Sequence, residues 1–486
     1  MILNQWLSKA QRHLDAKNFL EALEIFKHLL PYLKDDPVFL NIFGTTYLRV
    51  NEKKKGIEIL ERAFVIDPKN AHILYNLGKA YIDCKDFVNA KKYFQLAIKY
   101  EPNNPLTLTY LGVVLKHFEK LDKARNLFLT ALKIDSNYAY AHFYLGKISE
   151  EKKDYKSAIR SYDKAITSDP NYFSPYWNKG LLKLLMGEFE EGWKLYESRL
   201  NKKDSNYEYT IFDTRKSWRG EKEVDGKILL IYGEQGFGDV IQFSRYLLLL
   251  KSYNCELILY VKKELVSILS TIDNHITVVG MDSMIPMHDF NCPIMSLPLV
   301  FKTDLSNIPS KVPYIQISKT KKNFWQKKLD KTNHKKIGIV FSGSKNHEYD
   351  NLRSIEFDKL QTYLRDINSV EFHSLMLEYK KSDKEIIKNS SFLICHEDEL
   401  HDFSDTAALI SSLDLVISID SAVAHLAGAL NKPVWILLPY NPDFRWMDQV
   451  SNSLWYPSAK LFRKKDKNDW GQTLEEVNSA LKDFIN

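Results

Sequence analysis

The chain has 486 residues, 44% of them hydrophobic and 27% charged, which excludes a disordered polymer and makes two or three domains the natural expectation. Its 68 basic and 62 acidic residues leave a net charge of +6, with the lysines spread along the whole length. A nucleic-acid binder would gather them into a patch or stripe, so that class is set aside.

The first two hundred residues repeat. Asp67-Pro68, Glu101-Pro102, Asp135-Ser136 and Asp169-Pro170 recur at a spacing of 34 residues. In the same register Gly44, Gly78, Gly112, Gly146 and Gly180 mark one position, and Ala22, Gly56, Ala90, Ala124, Ala158 and Gly192 a second. A third holds Phe26, Leu60, Phe94, Phe128, Tyr162 and Tyr196. Small residues let two helices approach closely, the aromatic fills the groove beside them, and neighbouring pairs stack because none buries its apolar face alone. The register resembles the tetratricopeptide repeat, with about six units over residues 3–200. Such a solenoid offers a concave groove for a peptide, protein or glycan-bearing partner; a spacer or oligomerisation element is the plainer alternative.

Residues 201–226 are polar and irregular and read as a linker. Beyond them apolar strand-like runs alternate with helical patterns, the signature of α/β lobes built on parallel sheets. Strands are expected at Lys227–Tyr232, Leu257–Val261 and Thr277–Val279, with a helix at Gln242–Lys251. A second set is expected at Ile337–Phe341, Glu371–Leu377, Phe392–Cys395, Leu415–Ile419 and Val434–Leu438, with helices at Ile355–Arg365, Thr406–Ser412 and Ala422–Leu430. Between the sets, Pro309–His334 reads as a Pro-bounded strand followed by a lysine-rich helix. Ligands of such sheets bind at the carboxyl ends of the strands.

Two strand-to-helix turns carry chemistry. The first runs Gly233-Glu234-Gln235-Gly236-Phe237-Gly238-Asp239, a GxxGxG that matches neither the dinucleotide fingerprint nor a P-loop. Asp239 can cap the helix or deprotonate an acceptor hydroxyl. The second turn ends a buried strand at Asp420 and starts a helix at Ser421-Ala422. A helix N-terminus suits a diphosphate, Asp420 can accept hydrogen bonds from sugar hydroxyls, and His425 can reach a phosphate. The plainer alternative makes Ser421 a cap and His425 a core residue.

The segments GEQGFGDVIQFSRYLLLL, DFSDTAALISSLDLVISIDSAVAHLAGALNKPVWILLPYNPDFRWM and WYPSAKLFR resemble bacterial fusions of tetratricopeptide repeats with a glycosyltransferase. Their catalytic half is similar to heptosyltransferases and, more distantly, to O-GlcNAc transferases. The resemblance implies an α-helical solenoid (1–200) followed by a GT-B fold of two Rossmann-like lobes: an acceptor-side lobe near 227–315, a connection at 316–334 and a donor-side lobe at 335–486. It also implies Asp239 as the base, with Gln235, Gly236 and Gly238 in the acceptor-side loop. Asp420, Ser421, Ala422 and His425 would then hold the donor sugar and diphosphate, with Ser342, Gly343 and Ser344 as a small hydroxyl loop at the phosphate. Where the family often has Thr, this chain has Ser421. For the basic residue beside the phosphates, Lys345 and Arg353 are the candidates.

The expected reaction is therefore metal-independent transfer from a nucleotide-sugar to a protein or glycan acceptor recruited by the groove, without a cofactor. A non-catalytic scaffold is the alternative; an oxidoreductase ranks last because the glycines stand in the wrong order. No Asp-x-Asp occurs, and His396 and His401 are five apart, so Cys395–His401 reads as an acidic loop and not a metal motif. Four scattered cysteines, no leader pattern and no membrane-length apolar run make the cytoplasm the expected location. Self-association stays open.

Overall fold

A computed structural model describes residues 2–201, 211–221, 223–344 and 350–485. The 34-residue period folds into helical pairs: α1 (Ile2–Asp15) with α2 (Phe19–Leu33), α3 (Pro37–Arg49) with α4 (Lys53–Ile66), and α5 (Ala71–Asp83) with α6 (Phe87–Tyr100). Then follow α7 (Pro105–His117) with α8 (Leu121–Ile134), α9 (Ala139–Glu151) with α10 (Tyr155–Ser168), and α11 (Phe173–Leu185) with α12 (Phe189–Tyr196). In α5, α7 and α9 the glycine makes room for the ring from the partner helix. A Cβ on Gly78 would lie 2.7 Å from the Phe94 ring, and one on Gly146 would lie 2.5 Å from that of Tyr162. Asp36, Asn70, Asp86, Asn104 and Asp154 cap helices by accepting backbone N–H groups of the first turn. The turn inside each pair places one residue in the left-handed region: Lys17, Asn51, Lys85, Glu119 and Lys153 at φ 57–64°, then Gly187 at 83°.

The chain divides into two compact units, Met1–Tyr176 and Trp177–Asn486, so the sixth pair falls mostly in the second. In that unit the described residues form two parallel sheets. The first contains β1 (Ile228–Tyr232), β2 (Glu256–Val261), β3 (Ile276–Gly280) and β4 (Phe290–Pro293), in the order β3-β2-β1-β4. Its helices are α13 (Phe237–Phe243), α14 (Lys263–Leu269) and the short α15 (Leu297–Val300). Helix α16 (Lys319–Leu329) precedes the second sheet, which has β5 (Lys335–Val340), β6 (Val370–Ser374), β7 (Leu393–Ile394), β8 (Leu415–Ile419), β9 (Val434–Leu438) and β10 (Ala459–Arg463), in the order β10-β9-β8-β5-β6-β7. Its helices are α17 (Asp350–Arg353), α18 (Phe357–Leu364), α19 (Lys381–Lys388), α20 (Phe403–Ser411), α21 (Ala422–Ala429) and α22 (Gly471–Ile485).

The parallel strands read as continuous apolar runs because helices cover both faces; every residue of β8 and β9 is buried. Three expectations change. Strands β4 and β10, both at sheet edges, were not anticipated. The strand expected after Pro309 is an unpaired extended segment that buries Tyr314 and Ile315. The helix expected over Gln242–Lys251 is instead the end of α13 followed by 3-10 turns at Ser244–Leu248 and Leu250–Ser252. Among the described residues no helix is long and apolar enough to cross a membrane.

Candidate functional site

Strand β1 sits inside its sheet, hydrogen-bonded to β2 and β4, and delivers the first turn at its carboxyl end. Glu234 follows with its side chain 1% exposed, and Gln235 takes φ +61°, a costly conformation for a side chain of that kind. Asp239 lies in the first turn of α13. Its Oδ2 accepts the Gly236 N–H at 2.8 Å, so the capping role is real. Its Oδ1 pairs with the Arg445 guanidinium. Burial raises the Asp239 pKa, and Arg445 opposes that rise. Beside this turn opens a cavity of about 400 Å³, lined by Gln235, Phe237, Tyr260, Lys262 and the stacked rings of Phe212 and Tyr232.

Strand β8 delivers the second turn. Ser421 occupies the N-cap position of α21, yet its hydroxyl does not cap the helix; it lies 2.9 Å from the Ser418 hydroxyl. The helix dipole and the N–H groups of the first turn are thus not spent on that side chain. Ala424, Ala427 and Gly428 keep α21 tight against its surroundings, and a Cβ on Gly428 would lie 2.5 Å from the Tyr456 ring. Burial and the Asp443 charge push the Asp420 carboxyl up to about 6, against the pull of Arg353 and Arg445. His425 is buried, stacked on Trp446 with centroids 5.2 Å apart, and its Nδ1 hydrogen-bonds the Tyr456 hydroxyl at 3.1 Å. Burial, with Arg445 and Arg245 nearby, holds it far below the usual histidine range, so it is neutral at pH 7.

The two turns meet. A Cβ on Gly238 would stand 2.8 Å from the His425 ring and 3.3 Å from Ala422 Cα, so the glycine is what allows α13 and α21 to touch. Arg445, from the loop after β9, reaches across to Asp239 and also holds Gln242 Oε1 at 2.6 Å and Asp443 at 2.7 Å. Arg245 crosses the other way, donating to the Trp455 carbonyl at 2.6 Å.

The third candidate loop lies beside the second turn. Ser342 is buried, Gly343 N–H donates to Asp350 Oδ1 at 3.1 Å, and Ser344 is exposed. Arg353 donates to the Asp420 carbonyl at 2.8 Å. Lys345 lies outside the described residues. Sequence reasoning missed Arg445, hidden in an aromatic run, and the ion pair of Glu234 with Arg199. Both depend on residues far apart in the chain, so no local pattern signals them. Trp446, Trp455 and Tyr456 are buried. His396, read as part of an acidic loop, is instead a core residue 3.1 Å from His373. Among the described residues no group of three or more His, Cys, Asp or Glu side chains is arranged to hold a metal ion.

Residues 71–104 and 139–172 match models of the tetratricopeptide repeat, and residues 299–443 match that of glycosyltransferase family 9 (heptosyltransferase). The last match takes in Asp420–His425 and stops short of Arg445; the Asp239 turn lies outside it. Protein FlbA of Caulobacter vibrioides (strain ATCC 19089 / CIP 103742 / CB 15) is 24% identical over 333 residues, 63% of this chain and 54% of that protein. The chain thus spans about half the length of that curated relative. Solved structures with some likeness include MamA from Desulfovibrio magneticus RS-1, 19% identical, TM-score 0.32, covering 35% of this chain and 96% of that one. Another is a tetratricopeptide repeat protein from Parabacteroides merdae ATCC 43184, 15% identical, TM-score 0.35, covering 41% and 78%.

Proposed function

We propose that the chain transfers a glycosyl group from a nucleoside-diphosphate sugar to an acceptor brought by the helical array. The observation that carries this reading is the meeting of the Asp239 turn with the N-terminus of α21, whose first-turn N–H groups the Ser421 hydroxyl leaves uncapped. The similarity of residues 299–443 to family 9 supports the same chemistry.

In this reading the diphosphate lies at the α21 N-terminus beside Arg353, and the sugar hydroxyls face Asp420. Arg445 and Arg353 offset the charge that develops on the leaving diphosphate, so the transfer needs no metal. Asp239 takes the acceptor proton, with a pKa raised toward the range where a general base works. The acceptor enters from the side of the cavity lined by Phe212, Tyr232 and Lys262. Because α13 and α21 are in contact, donor entry requires the two sheets to part at the Arg445–Asp239 pair.

One observation favours the scaffold alternative: both oxygens of Asp239 are already engaged, by Gly236 and by Arg445. A nucleotide-sugar screen separates the two readings. Binding at about 100 times Kd stabilises by about 2.7 kcal/mol, visible as a thermal shift. One nucleotide-sugar should shift the wild type and not Asp420→Ala, and it should be slowly hydrolysed or transferred with or without EDTA. Asp239→Asn should still bind that nucleotide and lose turnover by about 100-fold or more. Binding without turnover in the wild type would favour the scaffold.

A further inference from the structure

The first turn is held from behind by the end of the helical array. Helix α12 ends at Tyr196, and a 3-10 turn (Glu197–Asn201) follows. The buried Tyr196 hydroxyl accepts a hydrogen bond from Gln235 Nε2 at 2.8 Å. Arg199, 4% exposed, forks onto Glu234 through Nε–Oε2 at 2.9 Å and a second N–H to Oε1 at 2.7 Å. The same guanidinium donates to Ser296 Oγ at 2.9 Å and Glu197 Oε1 at 2.5 Å; Glu197 in turn takes Arg219 Nε at 2.9 Å. Glu234 Oε1 also accepts the Met295 N–H at 3.1 Å.

These bonds bear on the two residues that the turn needs most. Gln235 sits at φ +61°, a conformation that persists only where surrounding contacts fix it. The next amide, that of Gly236, is the one that binds Asp239 Oδ2. The Glu234 charge also adds to the rise of the Asp239 pKa, after burial.

We propose that Tyr196 and Arg199 are positioning residues of the transfer site: through Gln235 and Glu234 they set the Gly236 amide that orients the Asp239 carboxylate. The inference rests on the reading of Asp239 as the base and extends the site into the last helix of the array. Bidentate arginine–carboxylate pairing suits this task because it fixes orientation as well as distance.

The test uses the full chain with Tyr196→Phe, Arg199→Lys and the double variant Arg199→Met/Glu234→Gln. Tyr196→Phe removes one hydroxyl and the double variant leaves no unpaired buried charge, so both should fold. Hydrogen–deuterium exchange of the amides at 233–239 should speed up by about tenfold or more in each, with the β8 and α21 amides unchanged. Nucleotide affinity should stay within about twofold, while kcat for nucleotide-sugar turnover falls about 10- to 100-fold. Unaltered exchange in the turn overturns the proposal, and so does faster exchange with wild-type kcat. A wild type that turns over no nucleotide-sugar sinks the transferase reading instead, and the exchange rates still decide whether the array's end holds the turn.

Discussion

At Asp420, burial and a neighbouring carboxylate outweigh two guanidiniums, and the result is a proton held up to about pH 6. The folded chain therefore binds that proton more tightly than the unfolded chain, whose aspartate titrates near 3.8. The associated stability is complete below the unfolded value and is lost as pH rises through about 6. Thermal melts of wild type and Asp420→Asn should thus diverge between pH 4 and pH 6.5, with the wild type losing more as pH rises. Parallel profiles would mean the carboxyl is ionised throughout. Arg445 shows the opposite balance: two carboxylates, Asp443 and Asp239, keep its charge in a buried place. Replacing it with Met would leave Asp239 with the Gly236 amide as its one remaining hydrogen-bond donor among the described contacts.

Among the elements, the helical pairs depend on small residues where their helices meet. Gly146→Ala would press a methyl into the Tyr162 ring, which is fully buried and has no room to retreat. Overpacking of this kind costs about 1–3 kcal/mol. Urea unfolding should show that loss at Gly146→Ala, and a smaller one at exposed Lys164→Ala on α10. The pairs were legible in the sequence because Gly146 and Tyr162 recur in register with their counterparts, and periodicity survives without knowledge of contacts. Strands β1, β8 and β9 were legible because two covered faces make unbroken apolar runs. Strand β4, Phe-Asn-Cys-Pro, is too short and too polar to stand out, and in β10 Lys460 and Arg463 interrupt the apolar run. The turns at Asp239 and Asp420 were found from their glycines and small residues, yet what holds them was not. Arg445 lies more than two hundred positions from Asp239, and Arg199 lies 35 from Glu234.

For the whole molecule, the division after Tyr176 matters more than the end of the repeat pattern near residue 200. Trp193 donates to the Thr303 carbonyl at 3.1 Å and packs edge-on to Phe243 of one sheet domain and Phe444 of the other. A chain beginning at residue 201 would lose that tryptophan, Tyr196 and Arg199 together, whereas one beginning at residue 173 keeps them. Circular dichroism and thermal melting should find the longer fragment cooperatively folded and the shorter one unfolded or aggregated. A cooperative melt from the shorter fragment would show that α12 is dispensable to the sheets.

The turns within the helical pairs share a left-handed residue at one fixed step, from Lys17 to Gly187. Since stacked repeats depend only on their neighbours, a unit duplicated or lost in frame between α3 and α10 finds the same joints on either side. Unequal recombination can then lengthen or shorten the array in a descendant gene without altering a residue at either strand-end turn, making reach a trait inherited by copy number while the chemistry stays put.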